Sequence, residues 1–210
     1  MHRRRGGAFV CRVKKCFGKE MQTSAAIDVE RLALSETYVS PKGSKTVQLK
    51  IDGDSVYWLT QPLHVNFEPR SFDGSEQSKV NLCLLSTPSV EAQAAALDQA
   101  VLALALANSV ALFGKQLTEE GVRDRYSPVV YRKPPHPNMI RPKLVLQGRN
   151  TTKCWDADTK TKIEHPKTWK DSSVTLRILI KGLWLQGMSF GVSTEIVDAL
   201  IAPQAIECPW

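Results

Sequence analysis

The stretch 174–201 leaves this chain the fewest folding options. Val174, Leu176, Ile178 and Ile180 alternate with Thr175, Arg177, Leu179 and Lys181, the period-two pattern of a strand with one buried face. That face would enter a core, while Arg177 and Lys181 project together from the other side. Leu185-Gln186-Gly187-Met188 supplies a reversal, with Gly187 available for a positive φ. Phe190-Gly191-Val192 then opens a return strand carrying Ile196, Val197, Leu200 and Ile201. The rest of the chain is expected to be organised around this hairpin.

At 210 residues the chain can bury a sizeable core, as one generous domain or two small ones. The longest apolar run, around 92–113, is interrupted by Asp98, Gln99 and Asn108, short of the ~20 apolar residues a membrane span needs. No membrane association is expected. Five cysteines, Cys11, Cys16, Cys83, Cys154 and Cys208, are odd in number and widely spread, which argues for a reducing compartment rather than a disulfide framework. Cys11 and Cys16 lack a second Cys or His pair at zinc-ligand spacing, so no metal site is expected.

The net charge of +7 is unevenly spread. Residues 1–20 carry +6, residues 21–131 carry −4, residues 132–181 carry +8 and residues 182–210 carry −3. Positive charge gathered in a tail and one fifty-residue segment points to a polyanion more strongly than an evenly basic surface would. The bland alternative is a solvated, loop-rich face.

Along the chain, residues 1–21 read as a basic arm or targeting segment, too polar for a secretory signal. Such an arm suits the nucleus, a viral replication compartment or, as a transit segment, an organelle. Residues 22–45 look irregular. Strands are expected at 46–51 and 55–63 around an Asp52-Gly53-Asp54 turn, and again at 79–85. A long helix follows over 90–113, with Ser89 placed to cap it and Gly114 to end it. Its alanine-rich surface implies burial on more than one side. A short helix begins near Thr118, and Arg132 to Lys143 forms a stiff, proline-rich connector. Leu144-Val145-Leu146 is a strand, and a polar, basic excursion precedes the organising hairpin. The tail, 202–210, is short.

Catalytic signatures are missing from this pattern. The chain has no phosphate-binding G-x-x-x-x-G-K-[ST] loop, no G-x-S-x-G elbow and no H-E-x-x-H. His2, His64, His136 and His165 are isolated from one another, and Asp156 with Asp158 lacks a third ligand. No enzyme, catalytic residue or cofactor is expected. Aromatic rings interleaved with cations are abundant instead: Tyr131, Trp155, Trp169 and Trp184 among Arg132, Lys133, Arg141, Lys143, Lys153, Lys160, Lys162, Lys170, Arg177 and Lys181. Single-stranded nucleic acid is gripped by such a combination, cations tracking phosphates and rings stacking bases at about 1–3 kcal/mol each. For Trp169 and Trp184 a core role competes with stacking, because both adjoin strands. Trp155, amid polar residues, is the stronger exposed candidate.

The order of elements also resembles a known family. The segments NSVALFGK, TEEGVRDRYSPVVY, PNMIRPKLVL and ILIKGLWLQGMSFGVSTEIVDALI, across residues 46–201, are similar to OB-fold single-stranded DNA-binding proteins of large eukaryotic DNA viruses, phages and algal genomes. The resemblance implies a small β-barrel with inserted helices that coats single strands without reading sequence. It also implies that Trp184, Arg177, Lys181, Lys143 and the 153–162 excursion border the groove. Two departures stand out. Only Glu207 precedes Cys208-Pro209-Trp210 where such proteins often carry an acidic tail, and the basic arm lies outside the pattern.

The expected protein is therefore a β-rich α+β domain over 22–201, an OB-like β-barrel with a long inserted helix. It binds single-stranded DNA during replication, recombination or repair. RNA, replication proteins and further copies of the chain are secondary partner classes. The alternatives are a coat-like protein that packs nucleic acid through its basic arm, and an adaptor that docks through its alanine-rich helix.

Overall fold

The computed structural model describes residues 27–40, 44–69 and 77–202. The basic arm, Cys11, Cys16 and the tail beyond Ala202 lie outside the described residues. A one-turn helix at Val29–Arg31 leads into β1 (Leu32–Val39), β2 (Lys45–Ile51), β3 (Asp54–Leu59), β4 (Leu63–His64), β5 (Lys79–Asn81) and β6 (Leu84–Leu85). Helices α1 (Pro88–Ala107), α2 (Ser109–Phe113) and α3 (Glu119–Arg123) follow. Four short strands come next: β7 (Tyr126–Ser127), β8 (Val130–Tyr131), β9 (Met139–Ile140) and β10 (Lys143–Val145). The chain closes with β11 (Lys153–Asp156), β12 (Lys162–Ile163), β13 (Ser173–Gln186) and β14 (Ser189–Ala202).

The β13–β14 hairpin is the spine of the molecule. Its strands pair along their whole length about a two-residue turn, Gly187-Met188, with Gly187 at φ 57°. Strands β2, β3 and β4 pair with β13, while β7, β10 and β11 pair with β14. Val174, Leu176, Ile178 and Ile180 are all buried, as the alternation predicts. Two irregularities then change the register. Val197 is extra on β14 and Lys181 is extra on β13, so buried Leu183 falls on an odd number where the earlier buried positions were even. Beyond the second bulge β13 exchanges partners, leaving β3 for β2. The exchange needs Gly182, because a Cβ there would sit 2.1 Å from the Val47 carbonyl oxygen. Bulges bend the strand that carries them and increase its local twist.

The class is the expected one, β-rich α+β with an inserted helix of 20 residues. Several boundaries differ for local reasons. Thr87, not Ser89, caps α1, accepting from the Val90 N–H at 3.4 Å, and Pro88 occupies the first turn where it forfeits no hydrogen bond. The helix stops at Asn108, whose side-chain amide turns back to the Leu104 carbonyl. A separate turn of helix, α2, then reaches Gly114 at φ 74°. Full burial follows one stripe, Val90, Ala94, Leu97, Val101 and Ala105, rather than several sides. By length and composition α1 could cross a membrane, yet its stripe lies in the core and its Asp98 bonds to Tyr126.

Other corrections concern short strands. Leu32–Val39 is a strand where irregular chain was expected, because its mostly exposed positions give almost no alternation. The 55–63 run breaks at Gln61-Pro62, and buried Thr60 there accepts from the Leu176 N–H. The 79–85 run divides between two sheets, β5 against β10 and β6 against β9. The proline-rich connector is a hairpin of β8 and β9. Thr118 caps α3 as expected, accepting from the Gly121 N–H.

Candidate functional site

Where the outer half of β13–β14 meets β2 and the β8–β10 segment, a cleft of about 810 Å³ opens. One wall is built by the exchange of partners at Gly182, which sets Thr46 and Lys45 opposite Trp184 and Leu185. Trp184 itself pairs across the hairpin with Gly191. A Cβ on Gly191 would lie 2.9 Å from the indole Cζ2 and 3.0 Å from Cε2, so the ring occupies space that any other residue would fill. Covering a strand glycine with a cross-strand aromatic ring protects backbone and fixes the ring together. Trp184 is half-buried and lines the cleft.

The opposite wall carries Tyr131 and Arg141. The Arg141 guanidinium lies 3.4 Å from the centre of the Tyr131 ring, a cation–π pair on the β8–β9 hairpin. This wall is braced from behind by α1. Asp98 accepts from the Tyr126 hydroxyl at 2.7 Å and from the Val129 N–H at 3.2 Å. Burial pushes the Asp98 carboxyl above its ordinary range, although both hydrogen bonds pull it down. Burial beside Asp98 likewise raises the Tyr126 phenol, which stays protonated and keeps donating. Arg132 reaches back to Glu91 at 3.4 Å. Hydrogen bonds from the Ser86 hydroxyl and the Asn138 amide hold that carboxylate below the usual range.

The charge of the cleft is one-sided. Lys45, Arg132, Arg141 and Lys143 line it, and among the described residues no Asp or Glu does. Lys45 Nζ donates to the Ala111 and Leu112 carbonyls at 2.8 and 3.2 Å, which orients the ammonium without neutralising it. Cations in a recessed, partly apolar cleft focus their field and draw anions in.

Of the residues singled out from sequence, Tyr131, Arg132, Arg141, Lys143 and Trp184 meet in this cleft. Lys133 is exposed just beyond it on the β8–β9 loop. The rest lie elsewhere. Trp169 is 3% exposed and belongs to the core, which excludes base stacking on it. Arg177 does not project alone, because its Nε donates to Asp198 at 2.7 Å. Lys181 likewise meets Glu195 at 3.1 Å, and Lys79 joins the same carboxylate at 2.6 Å. Burial would raise Glu195, but the two lysine hydrogen bonds prevail and hold it below the ordinary value. Lys153 lies on β11 and Lys162 on β12, Trp155 donates its N–H to Asp198 at 3.0 Å, and Lys170 lies 3.8 Å from Asp171. Lys160 turns back on the Ala157 carbonyl.

Asp156 Oδ1 accepts from the backbone N–H groups of Thr159 and Asp158 and from the Thr159 hydroxyl, a turn that holds its carboxyl below the usual range. Sequence reasoning missed Lys45, Thr46 and Tyr126, and the bracing Asp98. One pairing was available from sequence. Counting outward from a two-residue turn at Gly187-Met188 sets Gly191 opposite Trp184.

A sequence profile described as a family of unknown function, DUF5871, matches residues 73–208. No curated protein matches the chain significantly. Among solved structures, a single-stranded DNA-binding protein from bacteriophage Enc34 in complex with ssDNA is similar, with TM-score 0.44 and 11% identity over 81% of this chain and 94% of that one. A C-terminal truncation of the same phage protein gives TM-score 0.45 and 11% identity over 82% and 95%.

Proposed function

The chain belongs to DUF5871, and we propose that it binds single-stranded DNA in this cleft without reading sequence. The observation that carries the reading is the cleft's composition: four cations and, among the described residues, no carboxylate in its lining, with Trp184 on one wall and the Tyr131–Arg141 pair on the other. Lys45, Arg132, Arg141 and Lys143 would neutralise phosphates and release counterions. Trp184 and the stacked Tyr131–Arg141 surface would take bases, each stack worth about 1–3 kcal/mol whatever the base. A duplex hides its base faces, so the same walls would favour unpaired strands. No covalent step belongs to this reading. Transient single strands in replication, recombination or repair are its natural substrates.

The test is fluorescence anisotropy of the full chain with labelled oligo-dT and a matched duplex across a salt series. Four phosphate contacts predict a log–log salt slope of about −3 for the single strand. Arg141→Glu combined with Lys143→Glu should weaken binding at least tenfold and flatten the slope by about 1–2. Unchanged binding by that variant would move the function to the basic arm, the coat-like alternative.

A further inference from the structure

The sheet face turned away from the core holds a second group of aromatic and cationic side chains. Leu176, Ile178, Ala199, Ile201 and Cys154 define the inward side of β11, β13 and β14. The residues alternating with them form the outward side. Asp198, 2% exposed, is its centre. It accepts from Trp155 Nε1 at 3.0 Å through Oδ1 and from Arg177 Nε at 2.7 Å through Oδ2, fixing a ring and a guanidinium side by side. Arg177 in turn lies 5.2 Å from the centre of the Tyr57 ring, which is 47% exposed.

Register places cations around this group. Lys153 pairs with Asp198 and Lys162 lies directly across from Trp155, so both share the face of the indole. The Val197 bulge removes one step of alternation, which puts Glu195 on the same face as Asp198. Lys143 pairs with Glu195 and also lines the cleft, so it stands on the rim between the two surfaces. From Lys143 to Lys153 is a move of roughly 7–10 Å along β14. Lys79, Lys143, Lys153, Lys162, Arg177 and Lys181 thus share a face on which these registers place two acids, Glu195 and Asp198. The excess is positive and continuous with the cleft.

We propose that the strand held in the cleft continues over Lys143 onto this outer face, where Trp155 stacks a further base and Lys153 and Lys162 take its phosphates. Asp198 is a positioning residue, holding the indole and Arg177 in place while offsetting one charge. The inference rests on the cleft reading above, and it predicts a footprint larger than the cleft alone provides. Wrapping a sheet edge in this way lengthens the site without any new domain.

The test uses the full chain and oligo-dT from about 4 to about 16 nucleotides, the range of site sizes of single OB folds. Trp184→Ala should weaken binding at every length. Trp155→Ala should leave the shortest oligonucleotide within about twofold and weaken the longest roughly 5- to 100-fold, the equivalent of one lost stack. Lys153→Glu with Lys162→Glu, both exposed and without risk to the core, should show the same length dependence and lower the long-oligonucleotide salt slope by about 1.4. Two outcomes overturn the inference while sparing the cleft: Trp155 and lysine variants matching wild type at all lengths, or a loss that is equal at all lengths. If wild type fails to bind any length, both readings fall.

Discussion

The indole of Trp184 lies against the backbone of Gly191, its cross-strand partner, so closely that a Cβ on Gly191 would fall 2.9 Å from Cζ2 and 2.9 Å from the Ser127 carbonyl oxygen. The pair joins two requirements in one place. The glycine lets β7 and the indole both approach β14, and the indole shapes the cleft wall. A binding surface made this way is set by backbone packing before any ligand arrives.

Gly191→Ala therefore tests the wall directly. The methyl group must displace either the indole or β7, and β7 is held by its own pairing with β14. Expected are a stability loss of about 1–3 kcal/mol from overpacking and a loss of oligo-dT affinity approaching that of Trp184→Ala, roughly 5- to 100-fold. Thermal melts and anisotropy read the two effects separately. A variant that melts and binds like wild type would show that the ring is not fixed by Gly191.

Asp98 ties the other wall to α1. Asp98→Ala leaves the Tyr126 hydroxyl and the Val129 N–H without their acceptor, at a cost of about 1–3 kcal/mol. Asp98→Asn keeps an acceptor oxygen for both and should cost less. Because burial raises the Asp98 carboxyl, its contribution to stability is fully present below the ordinary Asp value and is lost as pH rises through its raised value. Melting curves from acid to neutral pH should thus show Asp98→Asn gaining on wild type as pH rises. Parallel curves would contradict the raised carboxyl.

Glu195 has the opposite sign. Lys79 and Lys181 hold it below the ordinary Glu value against the effect of burial. Its stabilisation is present above that ordinary value and disappears as pH falls through the depressed one. Glu195→Gln should remove this acid-limb loss while changing neutral-pH stability by only about 1–2 kcal/mol, since both lysines reach solvent. Urea melts at a series of acidic pH values decide it. A Glu195→Gln chain that loses stability as steeply as wild type would place the acid sensitivity elsewhere.

Local patterning carried the parts of this protein whose cause is local. Alternation over Val174 to Ile180, the glycine turn at Gly187, Thr118 as a cap and Gly114 as a stop are each decided by a residue and its near neighbours, and each stands where the sequence indicates. The gathering of charge into 132–181 is likewise a property of composition. Which of those charges face a ligand is a property of pairs. Arg177 and Lys181 look available in sequence, yet pairing along the hairpin sets Asp198 beside Arg177, and the one-residue bulges at Lys181 and Val197 bring Glu195 within reach of Lys181. Lys45 enters the cleft from more than a hundred residues away because Gly182 lets β2 approach β13. Trp169 is drawn into the core, its backbone N–H held by Glu68 across a similar distance in sequence. The chain's order sets where a strand, turn or cap forms, since those depend on neighbouring dihedrals. Charge pairing and burial depend on contacts made after long loops close, so only the tertiary structure could assign them.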